Sequence, residues 1–166
     1  MMKWNQWTIL VLIGWLPLSV QSDTIEGMLD GEPREWFVLS QGRDSNASFV
    51  EVGDQRQIII TGFVEPDQRD AYEGLSISLT VEDNQLIDAH VVQLIGSTTV
   101  PPLYTSEGGS VTVTLTQLEQ QGSHIHIAGR VEGVLALQTA QDDAPSRAEG
   151  IDIDVQFDVN AYRAAF

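Results

Sequence analysis

Apolar residues recur at every second position through most of this chain, and that period of two limits what it can fold into. The clearest runs are IIITGFV (Ile58 to Val64), LSISLTV (Leu75 to Val81), VTVTLTQL (Val111 to Leu118), HIHIAGRV (His124 to Val131) and IDIDVQFDV (Ile151 to Val159). REWFVLS, ASFVEV and QLIDAHVVQLI add three further strand candidates. In an extended strand successive side chains point to opposite faces, so each run offers one apolar and one polar face, whereas a helix needs a period of 3.6. The links VGDQRQ, VEDNQL, EQQGSH and RVEGVL are short and polar or glycine-bearing, the length of hairpin connections.

The expected class is therefore all-β: an antiparallel β-sandwich of about 8–10 strands built from consecutive hairpins. A closed up-and-down β-barrel is the alternative, since the same hairpins can close on themselves. Two short stretches, Pro66 to Gly74 and Asn160 to Phe166, read as single helical turns. Two segments rich in structure-breaking residues read as long loops, Gly96 to Ser110 and Gln138 to Gly150, and loops of that length in a β domain are where binding tends to reside. NAS at Asn46 to Ser48 reads as turn chemistry rather than a glycosylation site.

A faint repeat runs through the alternation. Ile58-x-Ile60-x-Gly62-x-Val64-Glu65 returns as Ile125-x-Ile127-x-Gly129-x-Val131-Glu132, and each copy is followed by an EG-led strand, Glu73-Gly74-Leu75 and Glu149-Gly150-Ile151. If it is a duplication, the two hairpins face each other as the sheets of a sandwich. In both copies a glycine stands inside a strand, the place of a bulge, a bend or a close approach.

The first 22 residues read differently: one positive charge at Lys3, then an apolar run from Trp7 to about Val20. This is the pattern of a secretory signal peptide, with small residues Val20 and Ser22 before a cut at Asp23. The run is shorter than the ~20 residues a membrane helix needs, so no membrane insertion is expected after cleavage. Residues 23–166 are then one all-β domain. The chain has no cysteine, so its stability rests on a packed core rather than on disulfides. An exported, cysteine-free domain points to the periplasm or exterior of a Gram-negative bacterium.

The formal net charge is −16, and the only lysine lies in the leader. Such a surface repels phosphate backbones and anionic lipid, which excludes nucleic acid as a partner. The self-repulsion is screened in strong salt, so the composition fits a halophilic setting.

Three groups of residues carry chemistry worth weighing. His124 and His126 share one face of a strand and form a metal half-site, with His90, Asp88 or the outward acids of IDIDVQFDV (Asp152, Asp154, Asp158) as candidate third ligands for a divalent ion. Asp152, Asp154 and Asp158 form a carboxylate row, but neighbours ~7 Å apart along a strand cannot all reach one ion, and a charged face that resists aggregation accounts for them. Tyr104, Tyr72 and Trp36 are the aromatic candidates for a binding surface. The nucleophile elbow, the zinc-protease helix motif and the phosphate-binding glycine loops are all missing from the sequence. The expected function is a non-enzymatic binding or structural module with a protein or small-molecule partner. A metal-binding protein using the His-x-His strand, and a lipocalin-like carrier with an apolar cavity, are the alternatives.

Overall fold

A computed structural model describes residues 23–40, 44–67 and 70–165; the expected leader and its cut lie outside the described residues. Nine strands follow in chain order: β1 (Thr24–Leu29), β2 (Glu32–Phe37), β3 (Ala47–Val52), β4 (Gln55–Gly62), β5 (Leu75–Glu82), β6 (Gln85–Leu94), β7 (Leu103–Gln121), β8 (His124–Gln138) and β9 (Ser146–Arg163). Among the described residues no helix is long and apolar enough to cross a membrane.

The strands form one sheet whose pairing returns to its start. The order is β2-β1-β9-β3-β4-β5-β6-β7-β8, and β8 pairs again with β9. One edge of β9 carries β8; the other carries β1 along Ile153 to Asp158 and then β3 at Tyr162 and Arg163. That last contact is parallel, so the sheet is mixed where pure hairpins predict an antiparallel one. The ring is thin at two corners: β3 and β9 share two residue pairs, and β6 and β7 share three. A ring with two loose corners is compatible with both the sandwich and the barrel expectation.

Alternation is what fills the interior. Ile58 and Ile60 on β4, Leu75, Ile77, Leu79 and Val81 on β5, and Ile153, Val155, Phe157 and Val159 on β9 are all buried in one cluster. Burying each such side chain contributes roughly 1.5–3 kcal/mol. Polar networks sit at two ends of the ladders. At one, Trp36 Nε1 and Gln93 Nε2 both donate to the Glu73 carbonyl, at 2.9 and 3.3 Å, while Arg34 reaches the Glu73 carboxylate at 3.1 Å. At the other, Arg163 grips Glu51 through both nitrogens at 2.7 and 3.0 Å and lies 5.2 Å over the Phe49 ring. Gln120 donates to Glu51 at 3.3 Å and accepts from Arg56 at 3.0 Å, tying β7 to the β3–β4 hairpin.

Several local expectations change. RVEGVL is not a turn: β8 runs unbroken through it, and Gly133 (φ 136°) is there because a Cβ would collide with the Ser110 backbone. The segment after Asn160 is not helical but continues β9 to Arg163. Both long loops are shorter than read, since β7 begins at Leu103 and β9 at Ser146. β1 was not expected, because TIEGML has a glycine at its middle inward position; the Asp30-Gly31 turn, with φ of 52° and 76°, folds it onto β2. Part of the proposed Pro66 helical turn lies outside the described residues, and its described remainder is turn and irregular chain.

The repeat does not survive as a common register. Gly62 pairs with Leu75, but Gly129 pairs with Phe157, and Ile151 sits opposite Leu135. The two glycines nevertheless serve one purpose. A Cβ on Gly62 would stand 2.6 Å from Trp36 Cβ, and one on Gly129 would stand 2.7 Å from Phe157 Cζ, so each yields its volume to an inward aromatic ring.

Candidate functional site

The corner between β6 and β7 builds a covered hollow on the outer face of the sheet. Paired residues share a face of the sheet, so Gln93 and Tyr104 turn inward while Val92, Leu94, Leu103 and Thr105 turn outward. Outward apolar residues on an exposed sheet are normally wet, yet Leu94 is 9% and Leu103 6% exposed. Their cover comes from the connection after β6 and the segment before β5. Ser97 Oγ donates to Asp70 at 2.9 Å, Glu73 N to the Gly96 carbonyl at 3.2 Å, and Leu94 N to the Gly74 carbonyl at 2.9 Å.

Between this cover and the sheet lies a cleft of 430 Å³. Val92, Leu94, Leu103 and Phe63 give it apolar surface; Ser76, Thr99, Thr105, Glu107, His90 and Gln138 bring polar groups to it. A volume in the few-hundred Å³ range with an apolar lining and a small set of convergent polar groups is the ordinary anatomy of a small-molecule site.

The polar side is held in place by the irregularity of β7. Its register against β8 shifts between Thr105 and Ser110, and the ladder to β6 stops at Thr105. Ser106 Oγ takes over where the backbone leaves off, accepting the Val91 amide at 2.9 Å and lying 3.3 Å from His90 Nδ1. Thr105 Oγ1 likewise accepts the Glu107 amide at 3.1 Å, fixing the backbone that carries the Glu107 carboxylate.

The residues singled out from the sequence distribute unevenly. His126 Nε2 meets Asp158 Oδ1 at 2.5 Å, and the ring of His124 lies 6.0 Å from that of Tyr162. His90 and Asp88 stand on β6, separated from β8 by β7. Among the described residues no group of three or more His, Asp or Glu side chains is placed to hold a metal ion. The carboxylate row is divided among partners: Asp158 goes to His126, and Asp154 binds Arg130 through both oxygens at 2.9 and 2.8 Å. That guanidinium holds the Asp154 carboxyl below the usual range, and hydrogen bonds from Arg163 and Gln120 do the same for Glu51.

Trp36 is 1% exposed and belongs to the core, so it is not part of a surface platform. Tyr104 faces inward and packs against the core, lining a smaller hollow beside Glu73 and Gln93. Tyr72 is 51% exposed, on the segment whose Ala71 and Gly74 line the cleft. The first of the two loops named from the sequence supplies Ser97, Thr99 and Glu107 to the cleft, and Gln138 comes from the start of the second. What sequence reasoning missed is the apolar floor. Its signal is present: in VVQLI, Val91, Val92, Leu94 and Ile95 break the alternation, as a strand covered on both faces must.

A hollow of 620 Å³ also lies over Gly27, between Arg34, Arg130, Glu26 and Asp154. Both of its cations are already paired, Arg130 with Asp154 inside the hollow and Arg34 with Glu73 outside it, and its lining has no leucine, valine or aromatic ring. Compared with protein-family models, curated proteins and solved structures, the chain finds no match.

Proposed function

We propose that this protein is an exported, non-enzymatic binding module that holds a small neutral or cationic molecule in the cleft beneath the β6–β7 connection. The observation that carries the reading is the pair Leu94 and Leu103: two outward leucines kept almost dry by a loop that leaves a cavity beside them. An apolar floor rewards a ligand with one hydrocarbon or aromatic face. The hydroxyls of Ser76 and Thr99, the amide of Gln138 and the His90 ring suit hydroxyl or amide groups on its other side. Glu107 and a net charge of −16 oppose an anionic ligand and favour a cation. Export is supported by the leader-like first 22 residues, and the absence of cysteine agrees with a bacterial periplasm or exterior.

The test is thermal melting of the purified protein against a panel of neutral, cationic and anionic small molecules. Saturation at a hundredfold excess over Kd stabilises by about 2.7 kcal/mol, a shift of several degrees. At least one neutral or cationic compound is expected to raise Tm, and Val92→Glu, which fills and charges the floor, to abolish the rise. A panel in which only anions stabilise, or in which nothing does, contradicts the proposal.

A further inference from the structure

Among the described residues β2, the first part of β6 and β7 from Ser110 onward each leave an edge without a strand partner; that of β6, Gln85 to His90, carries Asp88 and His90. β2, whose outer side is joined among the described residues by the Phe37–Phe63 bridge, reads EPREWF: a proline and three charges within six residues, the usual protection of an exposed edge. β7 is different. From Ser110 onward one of its edges is bonded to β8, and among the described residues no strand pairs with the other. Yet its sequence from Ser110 to Leu118, SVTVTLTQL, contains neither charge nor proline, in a chain with 24 acidic residues. Val111, Val113 and Leu115 on its inward face reach the core but are only partly buried, while Thr112, Thr114 and Thr116 are exposed.

We propose that a second copy of this chain pairs with β7 along Ser110 to Thr116, antiparallel about a two-fold axis at Val113. The argument for a second copy is twofold. A chain this acidic repels its own kind over most of its surface, and the β7 edge is a seven-residue stretch where two copies meet without opposing charge. The alternation is also self-complementary up to Leu115, where the register against β8 shifts: a two-fold axis at Val113 sets Thr112 beside Thr114 outside and Val111 beside Leu115 inside, pairs that stabilise a sheet. The inward residues then gain the cover they lack in the single chain. A charged foreign strand would find no counter-charge here. The join is small compared with a standard interface, so it is expected to be concentration-dependent and strengthened by salt that screens the remaining acids. It is independent of the cleft, which takes its β7 residues from Leu103 to Glu107.

The experiment is sedimentation equilibrium of the whole protein at low and about molar sodium chloride, with amide hydrogen exchange across a concentration series. A dimer that grows with concentration and salt is expected, with exchange slowing selectively along residues 110–116. Thr114→Lys places like charges near the axis and is expected to leave a folded monomer by circular dichroism. If that variant misfolds, Thr112→Lys, beside Glu132, gives the same readout. A monomer under every condition overturns the proposal, as does a dimer that persists in a folded lysine variant or protects β2 instead of β7.

Discussion

Gly129 pairs directly with Phe157 across the β8–β9 ladder, and the phenyl ring occupies the space that a side chain at 129 would need. A methyl there meets Phe157 Cζ at 2.7 Å and the Thr114 carbonyl oxygen at 2.5 Å, the second of which is backbone and cannot swing away. Gly129→Ala is therefore expected to destabilise by about 1–3 kcal/mol through overpacking, measured by urea unfolding. Gly62→Ala, facing Trp36, is expected to behave alike, and neutrality at both sites would contradict the packing described.

A protein beginning at Asp23 carries a single tryptophan, Trp36, buried with its Nε1 bonded to the Glu73 carbonyl. Its fluorescence is expected to be blue-shifted and poorly quenched by iodide until the protein unfolds. Trp36→Phe removes the donor and some buried volume, yet Gln93 still serves the same carbonyl. A loss of about 1–3 kcal/mol is expected, readable from the urea midpoint followed by circular dichroism.

Acid should unpick two specific pairs. Asp154 and Glu51 have lowered folded pKa values, the first through Arg130 and the second through Arg163. A depressed carboxylate contributes stability that is present above its unfolded pKa and is lost as pH falls through the folded one, so both contributions vanish on acidification below the ordinary carboxylate range. Carboxyl-carbon NMR titration is expected to find these two among the last acids to protonate. Arg130→Gln should return Asp154 alone towards the ordinary value.

Salt acts in the opposite sense to its effect on isolated ion pairs. With a net charge of −16, general repulsion outweighs the few exposed bridges, each worth little. Tm is expected to rise between about 0.01 and 1 M sodium chloride, as the Debye length falls from ~30 to ~3 Å. A flat or falling Tm would remove the salt-adapted reading of the composition.

Legibility in the sequence followed burial. Strands with one wet and one dry face, such as β5 and β9, were visible because alternation records exactly that asymmetry. β1 was hidden because Gly27 stands where an inward side chain was needed, and β8 was cut in two by reading Gly133 as a turn when it marks a close approach to Ser110. His124 and His126 were legible as neighbours on one face, but a third partner depends on which strand lies alongside, and β9 supplied Asp158 to one of them. The cleft depended on a loop folding back over Leu94 and Leu103, a tertiary event to which only the broken alternation of VVQLI, with apolar residues on both faces, testifies.

The location of the binding site is the claim most directly open to measurement. A backbone amide NMR titration with whichever compound stabilises the protein is expected to shift Val92, Leu94, Thr105 and Glu107 together. Shifts clustered instead around Gly27, Arg34, Arg130 and Asp154 would contradict the account and move the site to the charged hollow over Gly27.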